Sequence, residues 1–254
     1  MTMSKKTNPI PSYRYSNGPF VFAVRLFRLL SFFMYGFAIA WINTHPSVPP
    51  YESVGSFGGS LKFLTYWNLL TQFVLFTLIN YCDLFLVSSD GTYKHNQSSS
   101  VLVKLRDIVH HGLALPLGLF VVLVYWMIYA IDSELIYPIA SRPYYPEWLN
   151  QITHSAVGVT VMIEEFAFYH PRDNRKAFVA LFSYIVSYFL WILYLGYVIN
   201  YWPYSVIRII PDPYKIPFII TFGPIFAIIL YFTQYLHAKQ WPTPYQRSRK
   251  EKRR

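Results

Sequence analysis

Two polar clusters interrupt the apolar runs of this chain, and their residue types are those of nucleophilic catalysis. One holds Thr65, Asn68 and Gln72, spaced three then four apart; the other holds Asn150, His154 and Ser155, with Gly158 one turn further on. Residues three and four apart share a helix face, so each cluster presents its polar groups together. A threonine hydroxyl is a poor nucleophile until a base takes its proton, and histidine, titrating near neutrality, is the usual base. Attack of Thr65 on an ester carbonyl would give an acyl-enzyme, and water activated by His154 would release it. The developing oxyanion needs donors; Asn68, Asn150 and Lys62 are the substrate and oxyanion candidates by position. No acid is obviously placed to orient His154, although Asp132 and Glu134 end the preceding apolar run. A structural reading competes: a threonine in a membrane helix commonly bonds its own backbone or a neighbouring helix, and a lone histidine there is often a satisfied structural group. Spacing alone favours that reading.

What must position these residues is a membrane bundle. The chain has 254 residues, 54% hydrophobic and 20% aromatic, with only 13% charged. Soluble domains carry about a quarter charged residues, and a chain this apolar could not cover a soluble surface. A membrane-crossing helix needs about 20 mainly apolar residues. Six stretches qualify: 20–42, 62–87, 108–131, 147–168, 176–199 and 215–237. The expected fold is an all-α membrane protein, a bundle of about six transmembrane helices. It forms a single polytopic domain over 1–254: an N-terminal segment 1–19, a helical bundle 20–238 and a basic tail 239–254. The first run is too long for a signal-peptide core and no small-residue cleavage site follows it, so it reads as a retained helix.

Charge sets the expected orientation. With the N-terminus cytosolic, the inner side holds sixteen Lys and Arg, among them Lys5, Lys6, Arg14, Lys94, Lys104, Arg106, Arg172, Arg175, Lys176 and seven in the tail. The outer side holds four, Lys62, Arg142, Arg208 and Lys215. The positive-inside rule then puts both termini in the cytosol. Arg25 and Arg28, in the first turns of the first run, would snorkel to the inner face. Thr65 then lies about 5–10 Å below the outer end of its helix and His154 about 10 Å below the outer end of its own, at 1.5 Å per residue. A hydroxyl and an imidazole are thus expected at one depth. The sequon Asn96-Gln97-Ser98 falls on the cytosolic side, so a glycan detected at Asn96 by mass spectrometry would overturn the orientation.

The remaining features fit a membrane protein without a cofactor. The net charge of +10 lies in short gaps and the tail, a pattern of membrane flanks with no nucleic-acid groove. There is no nucleotide fingerprint, P-loop or zinc spacing, so neither cofactor nor metal is expected. His110-His111 read as solvated interfacial histidines, because adjacent positions point to different faces and no carboxylate partner is evident. Glu164-Glu165 are expected to pair with Arg172 or Arg175, and Asp83 reads as a buried polar contact. Tyr144, Tyr145, Trp148, Trp202 and Tyr204 read as an aromatic belt. The single cysteine, Cys82, cannot form an intramolecular disulfide.

The stretch from Gly58-Gly59 through Lys62-Phe63-Leu64-Thr65-Tyr66-Trp67-Asn68 resembles a motif of the androgen-induced gene 1 and androgen-dependent TFPI-regulating protein family. The resemblance continues through Arg106-Asp107, Leu115-Pro116-Leu117-Gly118, Tyr125–Tyr129, Ile136-Tyr137-Pro138 and Trp148-Leu149-Asn150 to His154-Ser155, covering residues 20–238. It implies a multi-pass membrane hydrolase of fatty acid esters of hydroxy fatty acids, with an intramembrane threonine nucleophile at Thr65 and a histidine at His154. This moves the expectation to the catalytic reading. The chain departs from the pattern at Gln151 and Ser155, where the family often has His and Thr.

The tail ends Lys250-Glu251-Lys252-Arg253-Arg254, which looks like a dilysine retrieval signal. A coat complex would read Lys250 and Lys252 from the cytosol and hold the protein in the endoplasmic reticulum membrane. The expected partners are thus a lipid substrate, the bilayer and that coat. The rival expectation is a non-enzymatic lipid carrier or assembly factor; a transporter is disfavoured by the few intramembrane charges and the lack of inverted broken-helix repeats.

Overall fold

The computed structural model of the protein describes residues 18–45, 57–88 and 100–241. Lys5, Lys6, Arg14, Lys94, Asn96, Lys250 and Lys252 lie outside the described residues. The elements, in chain order, are α1 (Gly18–Thr44), α2 (Leu64–Phe85), α3 (Val101–Ile131), α4 (147–167), α5 (Asn174–Tyr197) and α6 (Asp212–Gln240). All but α4 are long and apolar enough to cross a membrane. Helix α4 occupies the fourth expected span, but it carries Asn150, Gln151, His154, Glu164 and Glu165 and is less apolar. Its partners lie within the bundle.

The helices alternate in direction, and side-chain contacts at the two ends show it. Asn43, late in α1, donates to the Tyr66 hydroxyl at the start of α2 (2.9 Å). Arg28, early in α1, reaches Asp83 late in α2 (2.6 Å) and Glu164 late in α4 (2.5 Å). His237, late in α6, meets Glu165 (2.8 Å). The start of α1 and the end of α6 therefore share one end of the bundle, while Thr65 and His154 occupy the other.

Between the ends runs a core that includes Tyr35, Leu69, Phe76, Leu115, Leu117, Val157 and Val161. Helices α3 and α4 approach closely through glycine. A Cβ on Gly118 would stand 2.8 Å from the Val157 carbonyl, and one on Gly158 would stand 2.8 Å from Val122 Cγ2. Small residues of this kind let helix backbones approach where lipid supplies no hydrophobic drive between helices.

Both α3 and α4 contain a π turn, at His110–Ala114 and Ile152–Ala156. Such turns insert one residue into the i→i+4 ladder and recur at functional sites; here they hold three of the chain's seven histidines. Helix α6 is broken at Thr221, four residues after Pro217, which lacks an amide hydrogen for the ladder. Helix α5 starts at a cap: Asp173 accepts from the amides of Arg175 and Lys176 (3.1 Å each). These bonds, led by that from Lys176, hold its carboxyl below the usual range.

Several expectations change at the end opposite Thr65. Arg28 does not snorkel; it is 1% exposed and bonds Glu164 through two nitrogens as well as Asp83. It leaves lipid because two carboxylates and the face of Phe168 (4.5 Å) solvate it inside the bundle. Arg25 instead donates to the Ser88 carbonyl (2.7 Å). Glu164 pairs with Arg28 and His170 (2.7 Å), and Glu165 with His110 (2.9 Å) and His237, in place of the expected Arg172 or Arg175. His110 and His111 are buried, at 0% and 1% exposure, and not solvated. Within their π turn both rings come within reach of the Glu165 carboxylate. The expected third span begins earlier, at Val101, because the charged turn Lys104–Asp107 is anchored by these pairs.

Candidate active site

Thr65 is the second residue of α2, and the loop before it is fixed from several sides. Gly58 takes φ +89°, a left-handed conformation that favours glycine, and its missing Cβ leaves room for Trp191, 3.0 Å from where that atom would stand. The Leu61 carbonyl accepts from the indoles of Trp67 (2.7 Å) and Trp191 (2.9 Å). Tyr188 donates to the Lys62 carbonyl (3.0 Å). The Leu64 amide, which has no intrahelical acceptor at a helix start, donates to the hydroxyls of Tyr188 (2.9 Å) and Tyr204 (2.8 Å). Tyr204, expected in an aromatic belt, thus serves this loop.

His154 lies in the π turn of α4. Its Nδ1 faces the Asn150 side-chain oxygen (2.7 Å), the Asn150 carbonyl (3.2 Å) and Thr153 Oγ1 (3.1 Å). The Thr153 hydroxyl donates to the Leu149 carbonyl (2.9 Å), so its oxygen is left to accept. With acceptors on every side, Nδ1 carries the ring proton and Nε2 carries the lone pair. Nε2 lies 3.2 Å from Thr65 Oγ1, placed to accept that hydroxyl's hydrogen. The Tyr125 ring stacks on the imidazole (centroids 3.7 Å apart, 14° between planes), and the Trp126 indole donates to the His154 carbonyl (3.0 Å). Tyr145 bonds Thr153 (2.7 Å) behind the ring.

The arrangement can therefore move a proton from the threonine hydroxyl to imidazole, with Asn150 holding the tautomer. Asn150 Nδ2 and the Tyr125 hydroxyl are buried against each other beside the imidazole, and a hydroxyl that accepts from the amide keeps its own hydrogen to donate to an oxyanion. Thr65 also stands in the first turn of α2, where the helix dipole favours negative charge.

Two cavities meet at Thr65. A chamber of about 130 Å³, mostly apolar in its walls, gathers the polar groups of Thr65, Tyr137, Tyr145, Asn150 and His154. An apolar channel of about 390 Å³ runs from Thr65 between α3, α5 and α6, past Phe120, Phe189, Ile219 and Phe222. Its margin includes Phe182 and Ile220, 59% and 57% exposed, so it opens sideways. Ligand pockets of this volume class are typically apolar with a few placed polar groups.

The structure brings Thr65, His154 and Asn150 together. Asn68 is buried one turn below, where its side-chain oxygen accepts from Gln72 (3.1 Å), and it lines neither cavity. Lys62 is also outside both; its ammonium lies over the Tyr201 ring (4.5 Å). Asp132 and Glu134 serve the loop after α3, accepting from the amides of Glu134 and Ile139. Sequence reasoning gave Asn150 to the oxyanion; its i,i+4 spacing to His154 was the available signal for an orienting role. Tyr125 had no such signal, since nothing in the sequence shows which α3 residue faces His154. Gln151 and Ser155 form a pair of their own, the Ser155 hydroxyl donating to Gln151 Oε1 (2.8 Å) at the α4 surface. The described donors with metal-ligating geometry, His110, His111 and Glu165, lie at the other end of the bundle.

Helices of membrane-spanning length around a core that carries polar groups define an all-α, multi-pass membrane protein. The model of the FAR-17a/AIG1-like protein family matches residues 23–238, and the chain belongs to that family. The chain is 36% identical over 152 residues to the human (Homo sapiens) androgen-induced gene 1 protein, covering 59% of this chain and 64% of that one. It is 31% identical over 124 residues to the androgen-dependent TFPI-regulating protein of Mesocricetus auratus, covering 49% and 52%. The human protein of that second name is 26% identical over 150 residues, covering 59% and 63%. The matches thus span between half and two thirds of these relatives' lengths. No solved structure matches.

Proposed function

We propose that the protein is an intramembrane hydrolase of lipid esters, with Thr65 as nucleophile and His154 as general base. The observation that carries this is the Thr65 Oγ1–His154 Nε2 contact of 3.2 Å where a small chamber holding the polar groups meets an apolar channel. An acyl chain enters through the channel and presents its ester carbonyl to Thr65. His154 Nε2 takes the hydroxyl proton as Oγ1 attacks, and Asn150 Nδ2 and the Tyr125 hydroxyl receive the oxyanion. Collapse breaks the ester C–O bond, and the departing alkoxide takes the proton back from His154. Water, deprotonated by the same nitrogen, then cleaves the acyl-threonine and restores the hydroxyl. Fatty acid esters of hydroxy fatty acids are the substrate class, as the family resemblance implies. The positive-inside bias supports an orientation with both termini cytosolic and this site at the lumenal end; the Lys250/Lys252 signal supports residence in the endoplasmic reticulum membrane.

A fluorophosphonate probe should label the purified protein at Thr65, with labelling lost in His154→Ala. Absence of label on Thr65 by peptide mass spectrometry would count against the mechanism. Asn150→Ala should lower kcat about 10²–10³-fold, the cost of one oxyanion donor, with the loss of tautomer control adding to it. Asn150→Asp keeps the Nδ1 acceptor but not the Nδ2 donor, and should fall between the two. Equal kcat and equal pH profiles for all three proteins would remove Asn150 from the site.

A further inference from the structure

At the end of the bundle opposite Thr65, three buried rings from two helices surround one carboxylate of a third. His110 and His111 come from the π turn of α3, His237 from the end of α6, and all three approach Glu165 of α4. His111 Nε2 lies 3.0 Å from the backbone carbonyl of His170. A carbonyl can only accept, so Nε2 carries the hydrogen and Nδ1 of the neutral ring carries a lone pair. That Nδ1 is buried and has no hydrogen-bond partner. It faces Glu165 Oε2 at 3.7 Å. A lone pair and a carboxylate oxygen turned toward each other away from water repel, unless a cation stands between them.

The same carboxylate oxygen is 2.9 Å from His110 Nε2. All three donor atoms lie within 4.8 Å of one another. Ligands bonded to tetrahedral zinc at about 2.0–2.2 Å stand roughly 3.3 Å apart; the two separations from Glu165 Oε2, 2.9 and 3.7 Å, straddle that value, and the wider spacing within the trio, up to 4.8 Å, requires the imidazoles to close on the ion. We propose that His110 Nε2, His111 Nδ1 and Glu165 Oε2 form a site for one divalent transition-metal ion, with zinc the best match. Two imidazoles and a carboxylate suit zinc, whereas an all-oxygen set would suit magnesium or calcium. Two of the three ligands have the outer bonds that fix metal ligands, while Nδ1 of His110 is buried without one. The far nitrogen of His111 donates to the His170 carbonyl, and the far oxygen of Glu165 accepts from His237 Nδ1 (2.8 Å). His110 binds through Nε2 with its one proton moved to Nδ1, so no net proton is exchanged. His237, 8% exposed, stacks on Tyr169 near the end of α6. The bound ion joins α3 to α4 far from Thr65, and the site stands independently of the hydrolase reading.

The test uses full-length protein in detergent, equilibrated with zinc and then passed into metal-free buffer. Plasma mass spectrometry should find about one zinc per chain, and the Tm should fall on adding a chelator and recover with zinc. His111→Gln and Glu165→Gln should lose the ion, while His237→Gln should retain it with affinity about 10–100-fold weaker, as outer-shell losses do. Wild-type protein that holds no zinc and melts alike with zinc and chelator would overturn the site. So would folded His111→Gln that keeps a full equivalent. The wild-type measurement stands even if a variant fails to fold.

Discussion

Thr65→Ala is expected to abolish ester hydrolysis, lowering kcat on the order of 10⁴-fold or more, as loss of a catalytic nucleophile does in acyl-transfer enzymes. The argument rests on the site as a unit. The base has its lone pair aimed at one hydroxyl only, 3.2 Å away. Removing that hydroxyl leaves the imidazole, its Asn150 partner and both cavities in place, but nothing to acylate. KM should therefore change little, because the channel that holds the chain is untouched. His154→Ala should cost a similar factor, and the double variant should be no worse than either single one, since each removes the same step. Thr65→Ser keeps a hydroxyl on the same carbon and should retain measurable turnover. The measurement is hydrolysis of a branched fatty acid ester by purified protein, with size-exclusion profiles confirming the fold. Undiminished hydrolysis by Thr65→Ala would leave the non-enzymatic carrier as the better account.

The second large effect is on stability. Arg28→Ala should destabilise the bundle by about 3–5 kcal/mol, the usual cost of removing one partner of a buried ion pair. Arg28 compensates Glu164 and Asp83 at once, and Glu164 is 0% exposed. Without the guanidinium, Glu164 loses both nitrogens that grip it and keeps the His170 imidazole. A folded protein typically has about 5–15 kcal/mol in total, so a large share of the margin is at stake. Arg28→Lys should fall between, keeping the charge but not the two-nitrogen grip on Glu164. Thermal melts in detergent read the result; an Arg28→Ala melt within a degree of wild type would show that the network is not needed.

How far the sequence carried these conclusions depends on which physical signal each feature leaves. Membrane helices write themselves as runs of apolar residues, so α1, α2, α5 and α6 were legible, and α4 was found despite its polar content. Thr65 and His154 were legible as a pair because alternating spans put them at one depth. The π turns were not, because one inserted residue alters the ladder without altering composition. That is why His110 and His111 read as residues on different, wetted faces. Arg28 read as a snorkelling cation for a related reason: its partners Asp83 and Glu164 lie 55 and 136 residues away. Alternating topology did bring the three to one end, but only side-chain geometry shows that they touch.

The π turn of α4 also acts as a phase correction. Asn150 and His154 must face Thr65 at one end of this helix, while Glu164 and Glu165 must face Arg28, His110 and His237 at the other. Straightening Ile152–Ala156 into a plain α ladder with all its residues kept would rotate one half against the other by about 100°. No rigid turn of the helix could then satisfy both ends. The two polar regions of this protein are thus set by a single count along α4: a residue added or lost in its regular turns would reach both of them, whereas loss of the one the π turn absorbs would leave them in phase.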